Sequence, residues 1–265
     1  MNSPVIFLPA SSFIMKKPFK TTFILLILFS FLQAKVPSWF KKLPETPSGI
    51  YLDVGMVGLF SRDSRAREYA LNRAAKNIAK QIEMGLKFEL STQSDGRFIL
   101  GLPDFEEIYE ESIYNEVRSN IVVLDSMFTK KHRYYLIQYP ATRGKIKIHS
   151  EKVSWGEKPD WVNLPPQSKK YYYGTGQLAN YISVIRAWDD TDSFARFALG
   201  KNICINVAEL RKEKQTDQSH LLRQYTTQCY DINISGCKIV ERWYDKKNKA
   251  YYSLSKSPRG SYIIN

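Results

Sequence analysis

Residue types that carry chemistry are scarce in this sequence. His132, His149 and His220 are its only histidines, and Cys204, Cys229 and Cys237 its only cysteines. No two cysteines stand at zinc-ligand spacing and no His-Glu-x-x-His run occurs, so a zinc site has no ligand set to start from. His132 lies in a Lys-Lys turn and reads as a solvated surface residue. A nucleophile triad using His149 or His220 would need several unrelated long-range coincidences. Gly174-Thr175-Gly176 lacks the third glycine and the following βαβ pattern of a dinucleotide loop. No cofactor is expected.

Long apolar runs are absent too, apart from Phe23 to Phe31. From Met15 the chain reads MKKPFKTTFILLILFSFLQAK, a basic region, an apolar stretch and then the small Ala34. That order predicts an export signal over residues 15–34, cleaved after Ala34, with Leu32 bulkier than usual two residues earlier. Retention as an N-terminal anchor is the alternative, although the apolar stretch is short for a bilayer of about 30 Å. Residues 1–14 carry no positive charge and read as a non-native extension, with Met15 as the start. Without a cysteine near the cleavage point, lipid attachment of the bacterial lipoprotein kind is not expected.

The three cysteines all fall in the second half, so any intrachain disulfide leaves one thiol over. Cys229 and Cys237 are close in sequence and flank a turn, which makes them the candidate pair in an oxidising compartment. Cys204 reads as a small buried hydrophobe.

What the chain has in excess is positive charge. The formal +13 falls to +10 when Lys16, Lys17 and Lys20 leave with the signal. In an exported protein such a surplus favours lipid headgroups, lipopolysaccharide or acidic polymers over nucleic acid.

An internal echo supplies the organisation. Pro37-Ser38-Trp39 is answered by Pro159-Asp160-Trp161, and the strand pattern Ile50 to Gly58 by Tyr171 to Gly176, both ending in glycine. A helix follows each. Ala66, Ala70, Ala74, Ile78 and Ile82 form one apolar face in the first; Phe194 or Ala195, then Leu199, Ile203, Val207 and Leu210 form it in the second. Lys-Asn-Ile occurs in both helices, at Lys76 to Ile78 and Lys201 to Ile203. Each half then closes with a strand, a Lys-Lys turn and a Tyr-Tyr strand, over 121–140 and 239–258, the composition of a β-hairpin. Matched elements keep their order at offsets of 118 to 125 residues. The expected fold is therefore α+β: two tandem modules, 35–140 and 159–265, each a long helix on a small antiparallel sheet. A linker over 141–158 joins them, although Lys145 to Ile148 alternate as a strand would.

The charged clusters allow two readings each. Glu106-Glu107-Ile108-Tyr109-Glu110-Glu111 offers carboxylates for acid–base work, but reads first as the solvated face of a helix over 104–120. Asp189, Asp190 and Asp192 read as a capping region before the second helix. The hairpin tips carry Lys130, Lys131 and Arg133 in one half and Lys246, Lys247 and Lys249 in the other, each beside paired tyrosines. They are candidate polyanion-binding residues. The bland alternative is a charged tip that blocks edge-to-edge pairing.

Pro-x-Trp, a strand ending in glycine, an Ala-Arg helix (Ala66-Arg67, with Ala70 and Ala74) and a closing Tyr-Tyr hairpin together resemble the twenty-kilodalton outer-membrane lipoprotein family, to which modules of bacterial flagellar-assembly proteins are related. The second copy departs, with Phe194-Ala195-Arg196-Phe197 at the helix start, and the family's lipidated cysteine is missing. The resemblance implies an envelope module with no catalytic residue to carry over. The expectation is a non-enzymatic exported protein, periplasmic or outer-membrane-associated, whose partners are envelope proteins or anionic envelope components. Alternatives are a secreted or surface binding protein for anionic lipid or glycan and, third, a hydrolase with an unrecognised site.

Overall fold

The structure is a computed structural model that describes residues 35–59, 63–92, 105–144, 146–214 and 226–265. The export signal, the segment before it and His220 lie outside the described residues. Four helices and several small antiparallel sheets make a mixed α+β fold.

In the first half, β1 (Val36–Pro37) and α1 (Ser38–Lys41) precede β2 (Tyr51–Gly58), α2 (Asp63–Ile82) and β3 (Met84–Thr92). Then come β4 (Phe105–Ile108), α3 (Glu111–Ser119), β5 (Val122–Phe128) and β6 (His132–Tyr139). The second half runs β7 (Lys152–Val153), β8 (Tyr171–Ala179), α4 (Val184–Lys214), β9 (Thr226–Ile234), β10 (Lys238–Asp245), β11 (Ala250–Pro258) and β12 (Tyr262–Ile264). Both expected hairpins form, β5–β6 and β10–β11. In each half the first long strand joins the outer side of the hairpin's second strand, giving the orders β2-β6-β5 and β8-β11-β10.

The long helices pack on those strands because small residues let the backbones meet. Ala66, Ala70, Ala74 and Ile78 of α2 are wholly buried, and a Cβ on Gly55 of β2 would clash with the Ala70 carbonyl. In the second half, Gly174 and Gly176 of β8 meet the backbone of α4 at Ala195 and Leu199 and at Thr191 and Ala195. The Gly-Thr-Gly run therefore serves helix–sheet contact. Gly176→Val should lower stability by roughly 2–3 kcal/mol, read from the urea midpoint, because the obstacle is helix backbone and cannot rotate away.

Several expectations are corrected. The acidic run is not one helix: Glu106, Glu107 and Ile108 belong to β4, paired with Lys87, Leu86 and Gly85 of β3, and the helix begins only at Glu111. Asp189, Asp190 and Asp192 do not cap a helix, since α4 has already started at Val184. Residues 146–151 form no strand. The segment expected as a linker is built into the fold: Val153 pairs with Val36, and Trp155 is buried and stacked on Trp188 at 5.3 Å. Nor do the halves stand apart. β3 and β9 pair antiparallel from Met84↔Ile234 to Thr92↔Thr226 at the centre of the sheet β12-β9-β3-β4, and Lys35–Asn265 is one compact unit.

Candidate functional site

The six basic candidates fall on two tight turns. Lys130 and Lys131 are exposed between β5 and β6, where the Thr129 amide donates to the His132 carbonyl at 2.9 Å and the His132 amide to Thr129 Oγ1 at 3.0 Å. Arg133 lies over the Phe128 ring at 5.5 Å. Lys246, Lys247 and Lys249 are exposed between β10 and β11. Here Asp245 Oδ1 accepts from the Lys247 and Asn248 amides at 2.9 and 3.1 Å, holding the turn and keeping that carboxyl below its usual range.

The tertiary structure brings the two turns to one end of the molecule. Tyr134, near the first tip, meets Phe40 at 5.0 Å; Phe40 meets Trp188 at 5.5 Å; Trp188 meets Tyr251, near the second tip, at 5.0 Å. The start of α4 sits between the hairpins. A Cβ on Gly58, opposite His132, would lie 3.8 Å from the Ile185 side chain, and the Asn180 amide donates to the Lys249 carbonyl at 3.2 Å.

Beneath this end, buried charges fasten the halves to one another. Arg242 of β10 donates to Asp192 of α4 through Nη2 at 2.8 Å and Nε at 3.2 Å, and to the Phe40 carbonyl at 3.3 Å. Asp53 of β2 stands 3.9 Å from the same guanidinium. Burial pushes Asp53 up to about 6, with Arg242 pulling the other way. One turn along α4, Arg196 donates to Glu107 through Nε at 2.7 Å and Nη2 at 3.2 Å, with Ser193 and Lys80 on the same carboxylate. Burial alone would raise Glu107, but the two cations hold it down at about 2. Burial and the Arg196 charge lower the Lys80 ammonium, so Arg196 is the stronger partner. None of these residues lines either of two surface grooves.

Those grooves, of about 870 and 510 Å³, adjoin at Pro166 and Tyr173, on the flank of β8 and β11. Glu45, Glu241 and His149 line the smaller one, where Glu45 is tied to Lys256 at 2.6 Å and Lys238 at 3.3 Å. Cys237 is a free, buried thiol rather than half of a bridge; the side chain of Cys229 lies outside the described residues. Burial pushes the Cys204 and Cys237 thiols up to about 12, so both should resist thiol reagents until the protein unfolds. Among the described residues no group of three or more His, Cys, Asp or Glu is placed to hold a metal ion, and no helix is long and apolar enough to cross a membrane.

The sequence exposed the tips through their Lys-Lys and Tyr-Tyr pairs. It hid Glu107, Asp192, Arg196 and Arg242, because a charged residue at an inward position carries no mark of its partner. Comparison with protein-family models, with curated proteins and with solved structures finds no match.

Proposed function

We propose that the chain is a non-enzymatic exported envelope protein, periplasmic or outer-membrane-associated, that binds anionic envelope components through the end bearing its two hairpin tips. Lipid headgroups and lipopolysaccharide supply the matching chemistry, and envelope proteins with acidic surfaces are the other partners it would meet. The observation that carries this reading is the convergence of two basic turns, one from each half, on a single aromatic cluster. Six cations on two rigid turns attract a polyanion more strongly than either turn alone, and salt weakens that attraction. The reading of 35–140 and 159–265 as copies of one module draws support from their shared strand–helix–strand–hairpin order and from the glycine contacts beneath both helices. Export rests on the basic and apolar stretch from Met15.

Reversing Lys130, Lys131, Lys246 and Lys247 to glutamate tests the binding. All four are exposed, so the fold should tolerate the change. The parent protein should be retained on heparin in a salt-dependent way and the variant should pass through; equal retention would remove the tips from the binding surface.

A further inference from the structure

The basic tips share their end of the molecule with apolar side chains that stand exposed among the described residues. Seven large hydrophobic residues stand exposed among the described residues, and four of them, Leu59, Phe128, Tyr181 and Ile182, sit here. Leu59 follows Gly58, the partner of His132 at the first tip, and Phe128 pairs with Arg133 in the same hairpin. Tyr181 and Ile182 occupy the loop from β8 into α4, which the Asn180–Lys249 bond ties to the second tip and Ile185 brings against Gly58. Ile182 is 102% exposed, the most open hydrophobic side chain described.

Single exposed apolar residues are ordinary, but four on the loops that carry the lysines are not scattered. Three acidic groups of this end are already engaged. Asp189 is paired with Arg73, Asp190 accepts from the Tyr181 hydroxyl, and Asp245 holds the second turn. Arg186, in the first turn of α4, adds an exposed cation. A soluble polyanion would use the cations and leave the apolar loops in water. A bilayer uses both, because apolar side chains enter at the level of the acyl chains while lysines stay with anionic headgroups.

We propose that this end is a membrane-docking surface, on which Leu59, Phe128, Tyr181 and Ile182 enter the interface of an anionic phospholipid bilayer while Lys130, Lys131, Arg133, Lys246, Lys247 and Lys249 meet its headgroups. It rests on the polyanion-binding reading above and adds the apolar contact and the partner.

The test uses Lys35–Asn265, which holds every described element and all three core clusters, so that Phe23 to Phe31 do not themselves partition into lipid. Co-sedimentation is measured with vesicles of equal parts phosphatidylglycerol and phosphatidylcholine, and with phosphatidylcholine alone. The parent should bind the first and not the second. Ile182→Ser should weaken binding to anionic vesicles about tenfold or more, since the apolar side chain that enters the interface is lost, and leave heparin retention unchanged because no charge is altered. Leu164→Ser, at another exposed leucine that lines the groove near Tyr171, should bind as the parent does. Full vesicle binding by Ile182→Ser overturns the docking surface and leaves the polyanion reading standing. Retention on heparin with no binding to anionic vesicles also overturns it and assigns the end to a soluble polymer. If the four-lysine reversal leaves heparin retention intact, the underlying reading fails and the docking surface fails with it.

Discussion

Replacing Arg242 with leucine should destabilise the protein by about 3–5 kcal/mol, the largest loss expected of any single substitution here. The guanidinium is 3% exposed and serves three segments at once: Asp192 of α4, Asp53 of β2 and the Phe40 carbonyl after β1. Its removal leaves Asp192 with Ser253 as its remaining side-chain donor and Asp53, 3% exposed, with only the weaker pull of Arg196 to offset its burial. Urea unfolding at neutral pH gives the measurement. A loss under 1 kcal/mol would mean that water fills the vacated site. The double variant Arg242→Leu with Asp192→Asn should recover part of the loss, because the uncompensated charge, more than the lost attraction, is what destabilises the single variant.

Glu107→Gln should remove about 3 kcal/mol at neutral pH and flatten the acid limb of the stability profile. The wild-type carboxyl is held at about 2, below its ordinary 4.5, so its contribution is complete above the ordinary value and disappears as pH falls towards 2. Asp53 acts in the opposite direction. Its carboxyl is raised from 3.8 to about 6, so the folded state binds the proton more tightly and stability declines as pH rises between those values. The two windows barely overlap, and together they place the greatest stability of this pair of groups near pH 4–5. Urea midpoints from pH 2 to pH 8 should show a rise, a maximum and a fall. Asp53→Asn should shrink the fall, to which the raised Asp189 also contributes, and Glu107→Gln should shrink the rise; limbs of unchanged size in both variants would detach them from these residues.

Both networks show where reading along the chain runs out. Period-four alanines mark α2 in the sequence, and alternating residues around Lys-Lys mark both hairpins. These patterns are local: a helix face or a hairpin writes itself into neighbouring positions. The acidic run deceived because Glu106, Glu107, Glu110 and Glu111 fit a wet helix surface as well as a strand. What settles it is Arg196, 89 residues away, which turns a burial that would be prohibitive for a lone carboxylate into a paired one. Asp192 fits a helix cap on similar grounds, and its partner lies 50 residues on.

The hairpin tips of the candidate site divide the same way. Sequence alone determined that each half carries a basic turn beside paired tyrosines, that glycine ends β2, and that catalytic and metal-binding residue types are few; β8 runs on past Gly176 to Ala179. Tertiary structure alone decided that the two turns emerge at one end, that Ile182 stands between them, and that β3 and β9 lock the halves through a shared sheet. The reason is distance along the chain. Periodicity reports which face of an element is apolar, whereas the meeting of Tyr134, Phe40, Trp188 and Tyr251 depends on how those faces stack once the entropy of closing long loops has been overcome.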